Sequence, residues 1–225
     1  MNRIIKHAVI LAAGRGMRLA PLTDSLPKPM VTFQGATLIA RGIAGLIQQL
    51  PSIHVTVGYK KAMLAQHVVE LGAASVINTE GRGNAWWLYH TLLSHLDEPV
   101  VLLTCDNVMR LNFDLLEKSY FDLGAPPCML VPVRPVAGLE GDFIFREGSR
   151  VTKLDRHSPS DIYCSGVQII NPARVRALTS PCEDFYGLWA QLMAQGLLQV
   201  SDVYPEKWFS IDTFEQLQRY AQVGL

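Results

Sequence analysis

Leu11-Ala-Ala-Gly-Arg-Gly-Met-Arg-Leu-Ala-Pro-Leu-Thr-Asp-Ser-Leu-Pro-Lys-Pro-Met30 is the stretch on which the fold turns. It continues the apolar run His7 to Ala13, which reads as a buried first strand. Open α/β sheets take their ligands at the carboxyl ends of strands, and this loop sits at such an end. Gly14 and Gly16 allow backbone N–H groups to turn toward phosphate oxygens at close range. Arg15 and Arg18 add charge-assisted donors, and Lys28 adds a compact positive charge between two prolines. A dinucleotide fingerprint requires a third glycine where this chain has Leu19, and the Gly-Lys-Ser/Thr of a Walker loop is absent. The plain alternative is a glycine turn with solvated arginines.

Outward from the loop, apolar runs alternate with helical patterns. A helix is expected over 36–50, a strand over 54–57, a helix over 60–71 and a strand over 74–77. A helix over 84–96 and a fully apolar strand over 99–104 follow. This rhythm predicts an α/β fold: a Rossmann-like, mostly parallel sheet sandwiched by helices in a single domain. The second half changes character. Short strands are expected over 128–133, 142–146, 151–154 and 163–170, with helices over 172–178, 183–195 and 213–220.

Composition narrows the class. A chain of 225 residues, 49% hydrophobic, can bury one substantial core. The 20 basic and 20 acidic side chains cancel, which argues against a nucleic-acid partner. Cys105, Cys128, Cys164 and Cys182 are far apart and predict reduced thiols rather than a disulfide framework or a zinc site. His90 and His95 lie five apart, on different faces of a helix, with no metal spacing. No segment reaches the length of a membrane span. Arg3 and Lys6 precede the first apolar run, but that run is too short for a signal peptide, so a cytoplasmic protein is expected.

The loop resembles the signature of the sugar-nucleotide pyrophosphorylase superfamily, roughly LAAGxGxRLxPLTxxxPKPM. It is matched by Leu11 to Gly14, Gly16, Arg18-Leu19, Pro21 to Thr23 and Pro27 to Met30. The resemblance implies a GT-A-like nucleotidyltransferase core and a reaction in which a nucleoside triphosphate and a small phosphorylated acceptor give NDP-X and pyrophosphate. It implies that Leu11, Ala12, Ala13, Gly14, Gly16 and Arg18 hold the nucleotide, with Arg15 and Lys28 offsetting charge as pyrophosphate leaves. Transfer of this kind needs alignment and cations more than covalent help. Mg2+, bound by one or two carboxylates plus substrate oxygens, is the expected cofactor.

Asp106 follows the apolar strand ending at Thr104, in Cys105-Asp106-Asn107, where the superfamily reads GDN or GDV. The cysteine is a departure that leaves the carboxylate in place; a strand-terminating Asp-Asn turn is the bland reading. Asp212 lies in Lys207-Trp-Phe-Ser-Ile-Asp-Thr-Phe-Glu-Gln-Leu217, which resembles the superfamily's W-x-D-I/V-G-T-x-E-x-L. Asp106 and Asp212 are therefore the expected metal ligands. Asp212 or Thr213 could instead cap the last helix, and capping and metal binding can coexist.

Glu80-Gly-Arg-Gly-Asn-Ala-Trp-Trp-Leu-Tyr-His90 matches in position the segment that packs on the base, which implicates Gly83, Asn84 and Ala85. Its aromatic helix is closer to the phosphocholine cytidylyltransferase branch. Trp86 and Trp87 could box a cation or stack on a base; the plainer reading is core. Tyr163-Cys-Ser-Gly-Val-Gln-Ile-Ile-Asn-Pro172 resembles a strand of sugar-1-phosphate members, and Gly141-Asp142-Phe143 resembles small muramic-acid-phosphate uridylyltransferases. Asn107, Lys153 and Gly166 are the acceptor-binding candidates. The resemblance divides the chain into a nucleotide-binding half, 1–112, and an acceptor-binding half, 113–225. A sugar 1-phosphate is the expected acceptor, with a phospho-alcohol used with CTP as the alternative; self-association is left open. A nucleotide sensor without turnover would lack a carboxylate or the loop lysine, and both are present. A glycosyltransferase would show a DxD motif, and position 108 is Val108.

Overall fold

A computed structural model describes residues 4–136 and 141–221; Arg3 lies outside them. The strands are β1 (His7–Leu11), β2 (Thr32–Phe33), β3 (Ala36–Thr37), β4 (Ser52–Val57), β5 (Ser75–Asn78), β6 (Val100–Thr104) and β7 (Asn107–Arg110). They continue with β8 (Cys128–Val133), β9 (Phe143–Glu147), β10 (Arg150–Asp155), β11 (Tyr163–Ile170), β12 (Leu198–Val200) and β13 (Lys207–Ser210). The helices are α1 (Leu22–Ser25), α2 (Leu38–Ile47), α3 (Lys61–Glu70), α4 (Trp87–His90) and α5 (Phe113–Asp122). After them come α6 (Pro172–Leu178), α7 (Phe185–Ala194) and α8 (Phe214–Ala221).

One nine-stranded sheet runs in the order β5-β4-β1-β6-β11-β8-β12-β10-β9. The pairings make β5, β4, β1, β6, β8, β12 and β9 point one way and β11 and β10 the other. The sheet is thus mixed but mostly parallel, as the alternating first half predicts. Its period-2 faces build two cores. Ala8 and Ile10 of β1, with Val101 and Leu103 of β6, join Ile39, Ile43, Leu64 and Leu116 of α2, α3 and α5. Val9, Val100 and Leu102 face the other way, onto Trp87, Val175, Leu188 and Leu192 of α4, α6 and α7. Covered on both faces, these strands must read as unbroken apolar runs. Among the described residues no helix is long and apolar enough to cross a membrane.

Most elements fall within two residues of expectation, and β8, β11 and α6 coincide with it. Asn171 caps α6, accepting from the Arg174 amide, with Pro172 as the first helical residue. The expected helix from position 36 begins two residues late, because Ala36 and Thr37 pair with β2 and the Thr37 hydroxyl caps α2. The expected 84–96 helix is broken. Thr91 Oγ1 donates to the Trp87 carbonyl at 2.8 Å, α4 stops, and Leu92–His95 form a separate 3-10 turn. His90 and His95 therefore do not share a helix; both are exposed. Helix α5 was not among the expected elements, although Asn112 caps it by accepting from the Leu115 amide. The two-stranded β7–β13 ribbon was not expected either.

Candidate active site

Register places the site. Leu11 at the end of β1 stands beside Thr56 of β4 and Thr104 of β6, and the Cys105 amide donates to the Leu11 carbonyl at 3.1 Å. Asp106 therefore leaves the sheet at the edge where the glycine loop begins. Asp212 reaches the same edge through the ribbon. Ser210 of β13 pairs with Asn107 of β7, and the Ile211 amide donates to the Asp106 carbonyl at 3.0 Å. A third, smaller core of Leu19, Val31, Phe33, Leu38, Val108, Phe209 and Ile211 fastens the loop to that ribbon.

Lys28 joins the two acids. Its Nζ donates to Asp106 Oδ2 and to Asp212 Oδ1, each at 2.7 Å. The lysine side chain is only 9% exposed and the two carboxylates about one-fifth exposed, so the charges are incompletely hydrated. Burial works to discharge the lysine, but Asp106 and Asp212 outweigh it and its pKa lies above the ordinary value. Burial likewise opposes ionisation of Asp212, yet Lys28, Ser210 and Arg18 hold its pKa below the usual carboxylate value. Arg18 NH2 lies 3.0 Å from Asp212 Oδ1, and Ser210 Oγ donates to Oδ2 at 2.9 Å. Thr213 takes the cap of α8, accepting from the Gln216 amide at 3.2 Å. The carboxylate of Asp212 is thereby left for the cluster.

The glycine loop is shaped by this lysine. Gly16 has φ 70°, and a Cβ there would come within 2.5 Å of Lys28 Cβ. The loop consequently demands glycine twice over, for its left-handed backbone and for the approach of the lysine chain. At Gly14 nothing lies within 4 Å of where a Cβ would be, so the loop opens onto free space. Ala12 is buried, its amide donating to Thr56 Oγ1 at 3.1 Å. Arg15 stands 5.2 Å over the Tyr59 ring and 3.6 Å from Asp24, outside the lysine–carboxylate cluster.

Beside the loop lies a cavity of about 240 Å3 bounded by Leu11, Ala13 and Gly14 on one side and by the 79–84 turn and Trp87 on the other. Gly83 and Asn84 line it, but their polar groups are tied to the second half of the chain. The Gly83 amide donates to Glu183 Oε2 at 2.8 Å, and Asn84 Oδ1 accepts from the Phe185 amide at 3.1 Å. Ala85 is wholly buried in the core, its amide on the Glu183 carbonyl. Gly83 must be glycine, since a Cβ would collide with that same carbonyl. Trp87 is core, as the plainer reading holds, and Trp86 stacks on His90 while the Arg82 guanidinium lies 5.4 Å over its ring.

On the acceptor side, Asn107 and Gly166 are brought together. Asn107 Nδ2 donates to Thr104 Oγ1 at 2.9 Å and to the Ser165 carbonyl at 2.7 Å, and Gly166, at φ 81°, leaves room for that amide. Lys153 is exposed on β10, its Nζ 2.6 Å from Asp155 and over the Phe145 ring; none of these contacts reaches the cluster. Sequence reading missed Tyr59 beneath Arg15, Ser210 beside Asp212, and Glu183 behind the 83–85 segment. Of these, only Ser210 carried a local signal, two residues before an already suspected carboxylate.

Residues 7–136 match the nucleotidyl transferase family. The chain belongs to that family. This nucleotidyltransferase is 28% identical over 176 residues to UTP–glucose-1-phosphate uridylyltransferase AglF of Haloferax volcanii, covering 74% of this chain and 72% of that protein. It is 33% identical over 153 residues to glucose-1-phosphate adenylyltransferase 2 of Vibrio parahaemolyticus, covering 56% of this chain but only 37% of that one. Among solved structures, the inositol-1-phosphate CTP transferase from T. maritima superposes with a TM-score of 0.79 at 19% identity, covering 100% of this chain and 99% of that one. At that identity the match speaks to the fold alone.

Proposed function

We propose that the enzyme joins a nucleoside triphosphate to a sugar 1-phosphate, releasing pyrophosphate. The observation that carries this reading is the meeting of Asp106 and Asp212 on one ammonium beside a glycine loop that opens on a cavity. An oxygen of the acceptor phosphate attacks the α-phosphorus, and the bond from that phosphorus to the pyrophosphate oxygen breaks. Gly14, Gly16 and Arg18 bind the triphosphate, and Arg15 and Lys28 offset the charge gathering on pyrophosphate. Residues 1–112 hold the nucleotide and 113–225 the acceptor, which Gly166 and Lys153 contact together with Asn107 from the first half.

The acidic pair suits Mg2+. Two carboxylate oxygens, each 2.7 Å from one ammonium, lie close enough to share one small hard cation. Among the described residues no group of three or more His, Cys, Asp or Glu gathers, which fits an ion held by two carboxylates and substrate oxygens rather than by a protein cage. Bound there, Mg2+ supplies charge neutralisation at the phosphates.

A phospho-alcohol used with CTP is the second reading. Its support is aromatic: Phe143 and Trp208 pack edge-on against Tyr163 at 5.9 and 5.6 Å, next to Ser165 and Gly166. A matrix of five nucleoside triphosphates against phosphorylated sugars and phospho-alcohols, scored by pyrophosphate, decides between them. Turnover confined to phosphocholine-like acceptors removes the first reading, and no turnover with any pair removes both.

A further inference from the structure

Tyr59 lies just past β4 and touches the phosphate loop at three places. Its amide donates to the Ala13 carbonyl at 3.0 Å, where the loop leaves β1. Its hydroxyl donates to the Thr23 carbonyl at 3.0 Å, in α1 on the far limb of the loop. Its ring carries the guanidinium of Arg15, which lies between those two points in the chain, 5.2 Å from the ring centroid. The tie at Thr23 passes further, since Thr23 is buried and its own hydroxyl donates to the Gly16 carbonyl at 3.0 Å. The approach is close enough to exclude a side chain at Gly58, where a Cβ would lie 2.6 Å from the Ala13 oxygen. Tyr59, Ala13 and Gly14 all bound the cavity beside the loop.

Arg15 is exposed, and Asp24, 3.6 Å away and exposed as well, competes for its guanidinium. A long side chain on a loop flanked by glycines samples many rotamers, and a phosphate that binds it must first restrict them. A planar guanidinium stacks on an aromatic face, so a ring beneath it meets part of that cost before any ligand arrives. Lys60 Nζ also lies over the Tyr59 ring, at 5.5 Å, but the chain itself keeps that neighbour close. Arg15 comes from another segment and needs the ring. We propose that Tyr59 is a positioning residue whose ring and hydroxyl together hold Arg15 ready for the pyrophosphate end of the triphosphate. The inference rests on the reading of the loop as a triphosphate site. Tyr59 acts without touching the phosphates: the hydroxyl fixes the ring against α1, and the ring keeps the arginine from turning to Asp24.

The test is a double-mutant cycle on the binding of inorganic pyrophosphate with magnesium, measured by calorimetry, so that neither base nor acceptor need be known. Arg15→Ala should weaken binding by about ten-fold and Tyr59→Leu by about five-fold. Tyr59→Phe keeps the ring and loses the tie to Thr23, and its affinity should fall between wild type and Tyr59→Leu. In the Arg15→Ala background neither change at Tyr59 should cost more than about two-fold, because the group it positions is gone. Tyr59→Leu that binds pyrophosphate as the wild type does overturns the proposal. A loss at Tyr59 that persists undiminished without Arg15 also overturns it, as that is the mark of a residue that only supports the fold of the loop. Should the leucine variant not fold, Tyr59→Phe in the two backgrounds decides on the same grounds. Wild-type protein that binds no pyrophosphate defeats the triphosphate reading of the loop, and Arg15→Ala that binds it unchanged defeats the role given to Arg15; this inference falls with either.

Discussion

Replacing Lys28 by methionine keeps a long side chain in place and removes the charge that two carboxylates share. Asp106 Oδ2 and Asp212 Oδ1 each lie 2.7 Å from Nζ, so they are at most about 5.4 Å apart. At an effective dielectric of about 20, fitting for side chains about one-fifth exposed, two bare carboxylates at that spacing repel by about 3 kcal/mol. Arg18, 3.0 Å from Asp212, relieves some of this, but it is exposed and screened. For a domain of this size about 3 kcal/mol lowers the melting temperature by roughly 6–12 °C. The measurement belongs near neutral pH. The raised pKa of Lys28 makes its contribution complete below its unfolded value and lost as pH climbs through the folded one. The lowered pKa of Asp212 makes its contribution complete above the unfolded value and lost as pH drops through the folded one. Between those limits both are charged. Thermal melts are run in chelator and then across a magnesium titration. The variant should melt well below the wild type in chelator and should regain more stability from magnesium, which replaces the missing cation. If Lys28→Met melts with the wild type in chelator and shows no larger response to magnesium, the two acids do not share a cation site and the reasoning is refuted.

Three further outcomes are expected. Asp106→Ala should abolish pyrophosphate release with circular dichroism unchanged; retained turnover would remove Asp106 from the chemistry. Gly83→Ala forces a Cβ onto the Glu183 carbonyl, so the 79–84 turn must shift. KM for the nucleotide should rise at least about ten-fold while KM for the acceptor stays level, a split that a general loss of fold would not produce. At the far end of the sheet, burial and neighbouring His7 push His54 down to about 4 from 6.5. The unfolded chain then binds more protons between those values. Stability is full above about pH 6.5 and falls by up to about 3 kcal/mol as pH drops toward 4. Urea melts across that window should show the slope, and His54→Gln should flatten it.

What the sequence discloses is what is local. The loop from Leu11 to Met30 is legible because its glycines, cations and prolines act within one turn of chain. Strand β8 is legible because a run buried on both faces has no polar interruption, and β11 is legible from its apolar end Val167–Ile170 despite the buried polar Ser165 and Gln168 within it. The ribbon of β7 and β13 is not legible, since four-residue strands carry too little periodicity and their pairing joins segments distant in sequence. The role of Asp212 was split between cap and ligand because both readings use the same carboxylate; the fold separates them by giving the cap to Thr213. Gly83 looked like a residue for the base, whereas its steric demand comes from Glu183, which nothing in the local pattern announces. Trp87 looked like a choice between core and site, and the fold buries it with Val9, Val100 and Leu102 in the core.

The site is assembled by apolar packing, and its charges could not assemble it alone. Two carboxylates near one another repel unless a cation is already there, and burying the cation costs hydration that the ion pairs only partly return. The free energy that holds Lys28, Asp106 and Asp212 at 2.7 Å therefore has another source. It lies in the small core of Leu19, Val31, Phe33, Leu38, Val108, Phe209 and Ile211, whose members flank each charged residue in sequence. Leu19 and Val31 bracket Lys28, Val108 follows Asp106 by two, and Ile211 immediately precedes Asp212. Burying seven such side chains supplies on the order of 10 kcal/mol, several times the repulsion estimated for the bare acids. The apolar members set where the acids stand, and Lys28 sets the cost of standing there. A cation arriving with a triphosphate can then compete for the acids without disturbing the scaffold that aims them.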